Sequence, residues 1–93
     1  MELLIRELRK FIVDNFLFGD ESERFAFADD DSFQERGIVD STGILELIAH
    51  LEKRYGIVFA DDELVPDNLD SVARVARFVD HKRQDQAAVV HAR

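Results

Sequence analysis

The chain has 93 residues and no Cys, so it forms one small domain with neither a disulfide nor a thiolate metal site. Its composition, with 46% hydrophobic residues, four Gly and one Pro, favours helices over a turn-rich β sandwich. The net charge of −8 disfavours nucleic acid as a partner, and no apolar run has the length of a membrane span, so a cytoplasmic protein without membrane insertion is expected.

The first element is an amphipathic helix, predicted over residues 2–17 and ended by Gly19. Its apolar residues recur at three- and four-residue spacing: Leu4, Leu8, Phe11, Ile12 and Phe16. Residues 19–40 are predicted to form a long acidic loop. Its expected apolar anchors are Phe25, Phe27, Phe33, Ile38 and Val39. The stretch DDSFQE within this loop indicates a capped turn, with local helix around Asp31–Glu35.

The second helix is predicted to begin at Asp40–Thr42 and to end near Tyr55, because Gly56 follows as a stop. The residues expected to face the core are Leu47, Ile48, Leu51 and Tyr55. A brief helical turn is predicted at Asp61–Leu64, and Pro66 breaks whatever precedes it.

The last helix is predicted over about residues 71–83, capped by Asp70 or Ser71. Its inward-facing residues should be Val72, Val75, Ala76, Phe78 and Val79. Periodicity is lost afterwards, which predicts that residues 84–93 are a disordered tail beyond a domain of residues 1–83. The expected fold is all-α: a monomeric bundle of three main helices and one short helix, with a long first loop.

The tetrapeptide Asp-Ser-Thr-Gly, which begins at Asp40, does not fit any familiar catalytic site. A hydrolase elbow needs G-x-S-x-G, but Gly37 lies two positions too far from Ser41, and His50 lies about 13 Å away along the same helix. An aspartic protease needs two carboxylates between β-rich lobes. The acidic stretch that begins DDDSFQE is not an EF-hand, because it lacks Gly at the sixth position of the loop and the Glu that ends an EF-hand loop. No catalytic residue and no metal site are predicted, and the three His residues are expected at the surface.

Asp40 and Ser41 have two possible roles. In the first, one of the two residues is an ordinary N-cap, which stabilises the helix by about 1 kcal/mol. One cap is sufficient, however, so Ser41 could instead occupy the first helical position with its hydroxyl toward solvent. The amides and the dipole at this helix end favour an anion, above all a phosphate. A phosphorylated or phosphoester-linked Ser41 is therefore compatible with the sequence, and Gly43 would reduce crowding beside it.

The second helix also has an apolar exposed face, formed by Leu45 and Ala49 and flanked by Glu46 and Glu52. Residues 14–70 carry 16 acidic and 4 basic side chains, a net charge of −12. Such a region attracts basic protein surfaces. The simpler interpretation, that acidic loops keep a small domain soluble, also accounts for the charge.

Two stretches, DDDSFQERGIVDSTGILELIAHLEKRYGI and DNLDSVARVARFVDHK, resemble acyl carrier proteins, and the resemblance covers most of the chain. It implies the four-helix carrier bundle. It also implies that Ser41 carries 4′-phosphopantetheine, transferred from coenzyme A by a phosphopantetheinyl transferase. Asp40 would support that transfer by helping to position magnesium and coenzyme A. The segment before Asp40 (Gly37, Ile38 and Val39) matches the family's approach to the attachment site.

The resemblance places the partner-binding surface on the second helix, at Thr42, Leu45, Glu46, Ala49 and Glu52. Two departures stand out. Thr42 replaces the usual Leu, and the basic pair Lys53 and Arg54 interrupts the acidic lower half of the helix. The Asp-Ser-x-Gly form is more similar to D-alanyl and aminoacyl carriers than to the fatty acid housekeeping type.

The expected function is therefore that of a free-standing, specialised carrier, not an enzyme. It would hold an acyl or aminoacyl group as a thioester and present it to partner enzymes. These partners would be the transferase, an acyl- or aminoacyl-carrier ligase and downstream acyl-processing enzymes. The alternative is a non-covalent, acidic helical interaction domain in which Ser41 is only a helix cap.

Overall fold

The computed structural model describes residues 1–17 and 26–91, with side chains in 1–17 and 26–85. The described residues form five α-helices: α1 (Glu2–Phe16), α2 (Phe33–Arg36), α3 (Ser41–Tyr55), α4 (Pro66–Leu69) and α5 (Val72–His91). A 3₁₀ turn (Asp61–Glu63) lies between α3 and α4. The described residues contain no strand, so the expected all-α bundle with three main helices is confirmed.

α1 ends one residue before its predicted end, and its predicted apolar face is buried in part, since Phe11 and Phe16 are half-buried and Val13 was not predicted. Leu4, Leu8, Ile12 and Val13 are buried on one side of it. The helix ends at Phe16, and Leu17 follows as its C-cap residue. The predicted stop at Gly19 and the predicted anchor Phe25 lie outside the described residues.

The described end of the first loop is tied to α1 and α5. Arg9 of α1 donates to Asp29 Oδ1 at 2.8 Å and to the Phe27 carbonyl at 2.9 Å, and its guanidinium lies 4.2 Å from the Phe27 ring centroid. The Asp29 carbonyl accepts a hydrogen bond from Ala73 N at 2.8 Å. Phe27, Phe33 and Val39 are buried as expected, and Ile38 packs against the core. The local helix expected in this loop is α2.

α3 begins and ends where local sequence signals place it. Asp40 is its N-cap, and Gly56 ends it with a φ of 66° in the left-handed region. Leu47 and Leu51 are fully buried, while Ile48 and Tyr55 are half-buried against the core.

The segment between α3 and α5 contains one more helix than the sequence predicts. The turn expected at Asp61–Leu64 is present as the 3₁₀ turn, but α4 was not predicted. Pro66 was interpreted only as a breaker, whereas it is the first residue of α4, a position where its missing N–H costs nothing.

α5 packs against α4 and α1. Among its described side chains, Val72, Val75, Ala76 and Val79 are buried as predicted, and Phe78 is half-buried against the core. Ser71 is its cap, because Ser71 Oγ accepts from Arg74 N at 3.1 Å. The predicted end at Arg83 is wrong, since the helix continues to His91. The segment after Arg83 contains no Gly or Pro to stop it. The division into a domain of residues 1–83 and a disordered tail stays a prediction.

None of the helices in the described part of the chain combines the length and apolar character needed to cross a membrane.

Candidate functional site

The site centres on the start of α3, where Asp40 and Ser41 have different roles. Asp40 Oδ1 accepts a hydrogen bond from Gly43 N at 2.7 Å, and the Asp40 carbonyl accepts one from Ile44 N at 2.9 Å. Ser41 is the first helical residue and is exposed. The interpretation of Ser41 as the helix cap is therefore wrong, because Asp40 makes that bond. The Ser41 hydroxyl lies at the positive end of a 15-residue helix.

Gly43 is buried, for a reason that the sequence does not reveal. A Cβ on this residue would lie 2.8 Å from Phe16 Cε1, 3.0 Å from Val39 Cγ1 and 3.2 Å from Asp40 Oδ1. All three distances are shorter than ordinary van der Waals contacts. Gly43 therefore allows the end of α1 and the Asp40 cap to pack closely against α3. Its expected role, space beside a phosphodiester, is not the role that this packing indicates.

A cleft of about 570 Å³ opens beside Ser41. Apolar side chains from α2, α3, α4 and the segments before α3 and α4 form its walls: Phe33, Val39, Ile44, Leu45, Ile48, Leu64, Val65, Pro66 and Leu69. Its polar lining comes from Gln34, Asp40, Ser41 and Asp70. None of these described lining side chains is basic. The cleft is therefore largely apolar, with the two carboxylates of Asp40 and Asp70 in its lining.

The predicted partner-binding residues do not all share the same environment. Thr42, Glu46 and Ala49 are exposed, and 63% of the surface of Leu45 is exposed at the rim of the cleft. Glu52 is only half-exposed, since its Oε2 accepts a hydrogen bond from Phe59 N at 2.9 Å. Glu52 thus holds the loop after α3 in addition to any role at the surface.

The far end of α3 is a network around Glu7 of α1. Arg54 Nη2 donates to Glu7 Oε2 at 2.7 Å, and the Tyr55 hydroxyl donates to Glu7 Oε1 at 3.1 Å. Burial, followed by the hydrogen bond to Glu7 and its negative charge, raises the pKa of Tyr55 to about 12. Arg54 is therefore engaged within the fold, as well as interrupting the acidic surface of α3.

His50 is half-buried, which corrects the expectation that all three His residues lie at the surface. Its ring centroid lies 3.8 Å from that of Phe11 on α1. Burial, reinforced by the positive charge of Arg54, lowers the pKa of His50, while Glu7 opposes the shift. His81 is exposed, as expected.

Sequence reasoning missed the role of Asp70, the residue between α4 and Ser71. Its carboxylate accepts hydrogen bonds from Ser32 Oγ, at Oδ2, and from Gln34 N, at Oδ1 and 3.1 Å. Its backbone carbonyl accepts from Phe33 N at 2.7 Å. Asp70 thus binds the start of α2 instead of capping α5. The sequence signal for this role was that Asp70 and Ser71 are both capping residues. Since one helix needs one cap, the other residue was free for a different contact.

Within residues 1–17 and 26–91, no group of three or more His, Cys, Asp or Glu side chains is arranged to hold a metal ion.

The family model described as "Phosphopantetheine attachment site" matches residues 18–79, two thirds of the chain, and includes Ser41, α2, α3, α4 and most of the buried part of α5. No curated protein matches the chain.

Proposed function

Because the chain belongs to the phosphopantetheine attachment site family, whose members carry 4′-phosphopantetheine covalently, we propose that Ser41 is the residue that bears this group. The protein would then carry an acyl or aminoacyl group as a thioester on the arm and present it to partner enzymes. The observation that supports this assignment is the exposed hydroxyl of Ser41, which follows the capping residue and opens onto an apolar cleft.

The transfer step can be written for this serine. Ser41 Oγ attacks the coenzyme A phosphorus that is linked to pantetheine, and a new O–P bond forms. The bond from that phosphorus to the bridging diphosphate oxygen breaks, and adenosine 3′,5′-bisphosphate leaves. The hydroxyl proton passes to a base of the phosphopantetheinyl transferase. The amides and dipole at the start of α3 favour the resulting phosphodiester.

Asp40 would support transfer without losing its role as a cap. Its Oδ1 binds Gly43 N, while its Oδ2 makes no hydrogen bond among the described residues. In the complex with the transferase, the second oxygen would assist the magnesium ion that accompanies coenzyme A. The protein would supply the attachment point and the docking surface, and the transferase would supply the chemistry.

The proposed cycle after attachment is carriage, not catalysis by this chain. The arm would supply a thiol that holds cargo as a thioester once an acyl- or aminoacyl-carrier ligase has activated that cargo, and Ser41 would anchor the arm. Downstream enzymes then act on tethered cargo at a high local concentration. The surface of Thr42, Leu45, Glu46 and Ala49 is the proposed docking face, with Glu52 at its margin.

For the cargo we propose an amino acid or an unusual acyl group, so that the protein is a specialised carrier. What supports this is Thr42, which stands where fatty acid carriers usually have Leu. Gly43 adds no support, because its packing against Phe16 accounts for it. Loading of the modified protein by candidate ligases tests the cargo, and exclusive loading with long fatty acyl chains would count against it.

The attachment site is tested by intact mass after incubation with coenzyme A and a broad-specificity phosphopantetheinyl transferase. The wild-type chain should gain the mass of one phosphopantetheine group. Ser41→Ala should gain none, whereas Thr42→Ala, a change at the adjacent exposed hydroxyl, should still be modified. A gain that persists in Ser41→Ala would place the group on another residue. No gain in the wild-type chain would favour the alternative, a non-covalent interaction domain.

A further inference from the structure

Asp70 joins two parts of the chain that lie far apart in sequence. Its carboxylate accepts from Ser32 Oγ and from Gln34 N, and its carbonyl accepts from Phe33 N. Hydrogen bonds to a charged acceptor are stronger than neutral ones. Ser32 Oγ in turn accepts from Glu35 N as the N-cap of α2. The whole start of α2 is thereby fixed to the junction between α4 and α5.

The orientation of α2 determines the path of the chain to Ser41. α2 ends at Gly37, which has a φ of 64°, and Ile38 N donates back to the Phe33 carbonyl at 2.8 Å. Only the segment 37–40 separates α2 from the first residue of α3. Four residues leave little slack, so a displacement of α2 is passed on to Asp40 and Ser41.

Asp70 and Ser41 also line the same cleft, on different elements. Phe33 and Gln34 of α2 form part of the wall between them. Since a helix of four residues has little stability of its own, α2 depends on tertiary contacts to keep its position. The hydrogen bonds that Asp70 accepts and the burial of Phe33 supply such contacts.

We propose that Asp70 is a positioning residue for the modification of Ser41. Through its hydrogen bonds to Ser32 and Gln34, it holds α2 and the segment 37–40 in the arrangement that the phosphopantetheinyl transferase binds. This inference rests on the proposed function of Ser41. Without the Asp70 carboxylate, α2 samples other positions, and the transferase binds only the fraction of molecules in which the approach to Ser41 is correct.

The test is steady-state phosphopantetheine transfer to Asp70→Ala, with Asp67→Asn as the matched control. Asp67 is a nearby acid on α4 whose side chain is 94% exposed and whose ion pair with Arg74 is long, at 3.6 Å. For Asp70→Ala, the KM for the carrier should rise roughly tenfold while kcat stays within about twofold. The KM of Asp70→Asn should lie between those of the wild-type chain and Asp70→Ala, because its amide oxygen still accepts a hydrogen bond. Asp67→Asn should match the wild-type chain.

A purely structural role predicts a different result. Loss of folded protein would lower the active concentration and leave the KM of the remaining folded molecules unchanged once that concentration is corrected by circular dichroism. An unchanged KM in folded Asp70→Ala, or a fall in kcat alone, overturns the proposal. If Asp70→Ala does not fold, Asp70→Asn decides, since it keeps one acceptor oxygen at this position and loses the charge and the second oxygen. Its KM should rise by a smaller factor, and no rise overturns the proposal.

Hydrogen exchange supplies a second measurement on the same variants. The amides of Gln34 and Ile38 should lose protection in Asp70→Ala, while those of Leu47 and Leu51 in the core keep theirs. Uniform loss of protection would instead indicate global destabilisation and overturn the positioning role. If the wild-type chain is not modified at Ser41 at all, the proposed function fails; if it is modified and the variants transfer with unchanged KM, only the role of Asp70 fails.

Discussion

The ring of Phe16 packs directly on Gly43, with Cε1 2.8 Å from the point that a Cβ on residue 43 would occupy. This contact joins the end of α1 to the first turn of α3, immediately beside Asp40 and Ser41. It explains why a residue with low helix propensity lies within the first turn of a long helix. Packing, not the chemistry of the attachment site, accounts for Gly43.

Gly43→Ala should therefore destabilise the protein, although alanine is the better helix former. Helix propensity favours Ala by about 1 kcal/mol, whereas forcing an extra methyl group into a packed site costs about 1–3 kcal/mol. We expect a net loss of about 1 kcal/mol in the free energy of unfolding, measured with urea.

The second variant Phe16→Leu identifies the source of that loss. In the Gly43→Ala background, the smaller and more flexible leucine should recover part of the lost stability, giving a favourable coupling in a double-mutant cycle. A Gly43→Ala protein that is more stable than the wild-type chain would show that Phe16 moves away without cost.

Substitutions at Asp40 and at Ser41 should have different effects on the free energy of unfolding. Asp40→Ala removes the acceptor for Gly43 N and should cost about 1 kcal/mol in the free energy of unfolding, while Asp40→Ser retains a cap and should cost less. Ser41→Ala should change stability by less than about 0.5 kcal/mol, because its exposed hydroxyl does not cap the helix. Equal losses at both positions in urea unfolding would mean that the hydroxyl shares the capping role.

Tyr55 is the single tyrosine of the chain, so its ionisation can be followed by the ultraviolet absorbance of tyrosinate. Its pKa in the folded protein is raised to about 12 by burial, by the hydrogen bond to Glu7 and by the charge of Glu7. The folded state therefore holds this proton more tightly than the unfolded state, whose pKa is about 10. Stability from this group is fully present below pH 10 and is lost as the pH rises from about 10 to about 12.

Glu7→Gln is the variant that tests the cause. It removes the negative charge but leaves an oxygen that accepts the Tyr55 hydroxyl, so the pKa should fall. Because burial is the largest cause, the pKa should still remain above the unperturbed value. A pKa that is unchanged in Glu7→Gln would show that the charge of Glu7 contributes nothing, and would leave burial and the retained hydrogen bond as the causes of the shift.

His50 should have a pKa below 6.5, because burial and then the charge of Arg54 disfavour its protonated form. A lowered pKa means that the unfolded state binds the proton more tightly. The contribution of His50 to stability is therefore present above pH 6.5 and is lost as the pH falls through the folded pKa. Chemical shifts of the imidazole protons against pH measure this value.

Arg54→Gln should raise the pKa of His50, and Glu7→Gln should lower it further, since Glu7 opposes the shift. Opposite responses to these two substitutions are the expected signature. If both variants left the pKa of His50 unchanged, burial against Phe11 would be the sole cause of its lowered value.

The sequence predicts this fold well where the signals are local. Asp40 and Gly56 mark the ends of α3 by their own backbone chemistry, and the spacing of apolar residues identifies its buried face. The proposal that Ser41 is the attachment residue depends on the same short stretch and on its resemblance to the carrier family. These features depend on neighbours within one or two helical turns, which a reader of the sequence can see.

The features that sequence analysis missed depend on residues that meet only in the folded chain. In the sequence, Asp70 has the pattern of a helix cap, but in the fold it binds Ser32. Gly43 was predicted to leave space beside Ser41, but in the fold it packs against Phe16. The cleft has the same origin, because Val65 and Ile48 come from separate elements. Long-range contacts of this kind leave no fixed spacing in a single sequence.

Leu45 provides the sharpest test of the proposed docking face, because the chain contains a matched control. Leu45 is 63% exposed beside Ser41, and Leu3 is 65% exposed near the start of α1, in the region of Tyr55 and the far end of α3. An exposed leucine loses little stability when replaced, so Leu45→Ser and Leu3→Ser should both fold.

If the transferase buries Leu45, Leu45→Ser should raise the KM for transfer to Ser41 by roughly tenfold, the loss expected for an apolar anchor at an interface. Leu3→Ser should leave the KM within about twofold of the wild-type value, because it lies away from the attachment site. Equal effects of the two substitutions would mean that general loss of apolar surface, and not contact at the start of α3, determines binding. An unchanged KM in both would move the docking face away from Leu45 to the acidic residues around it.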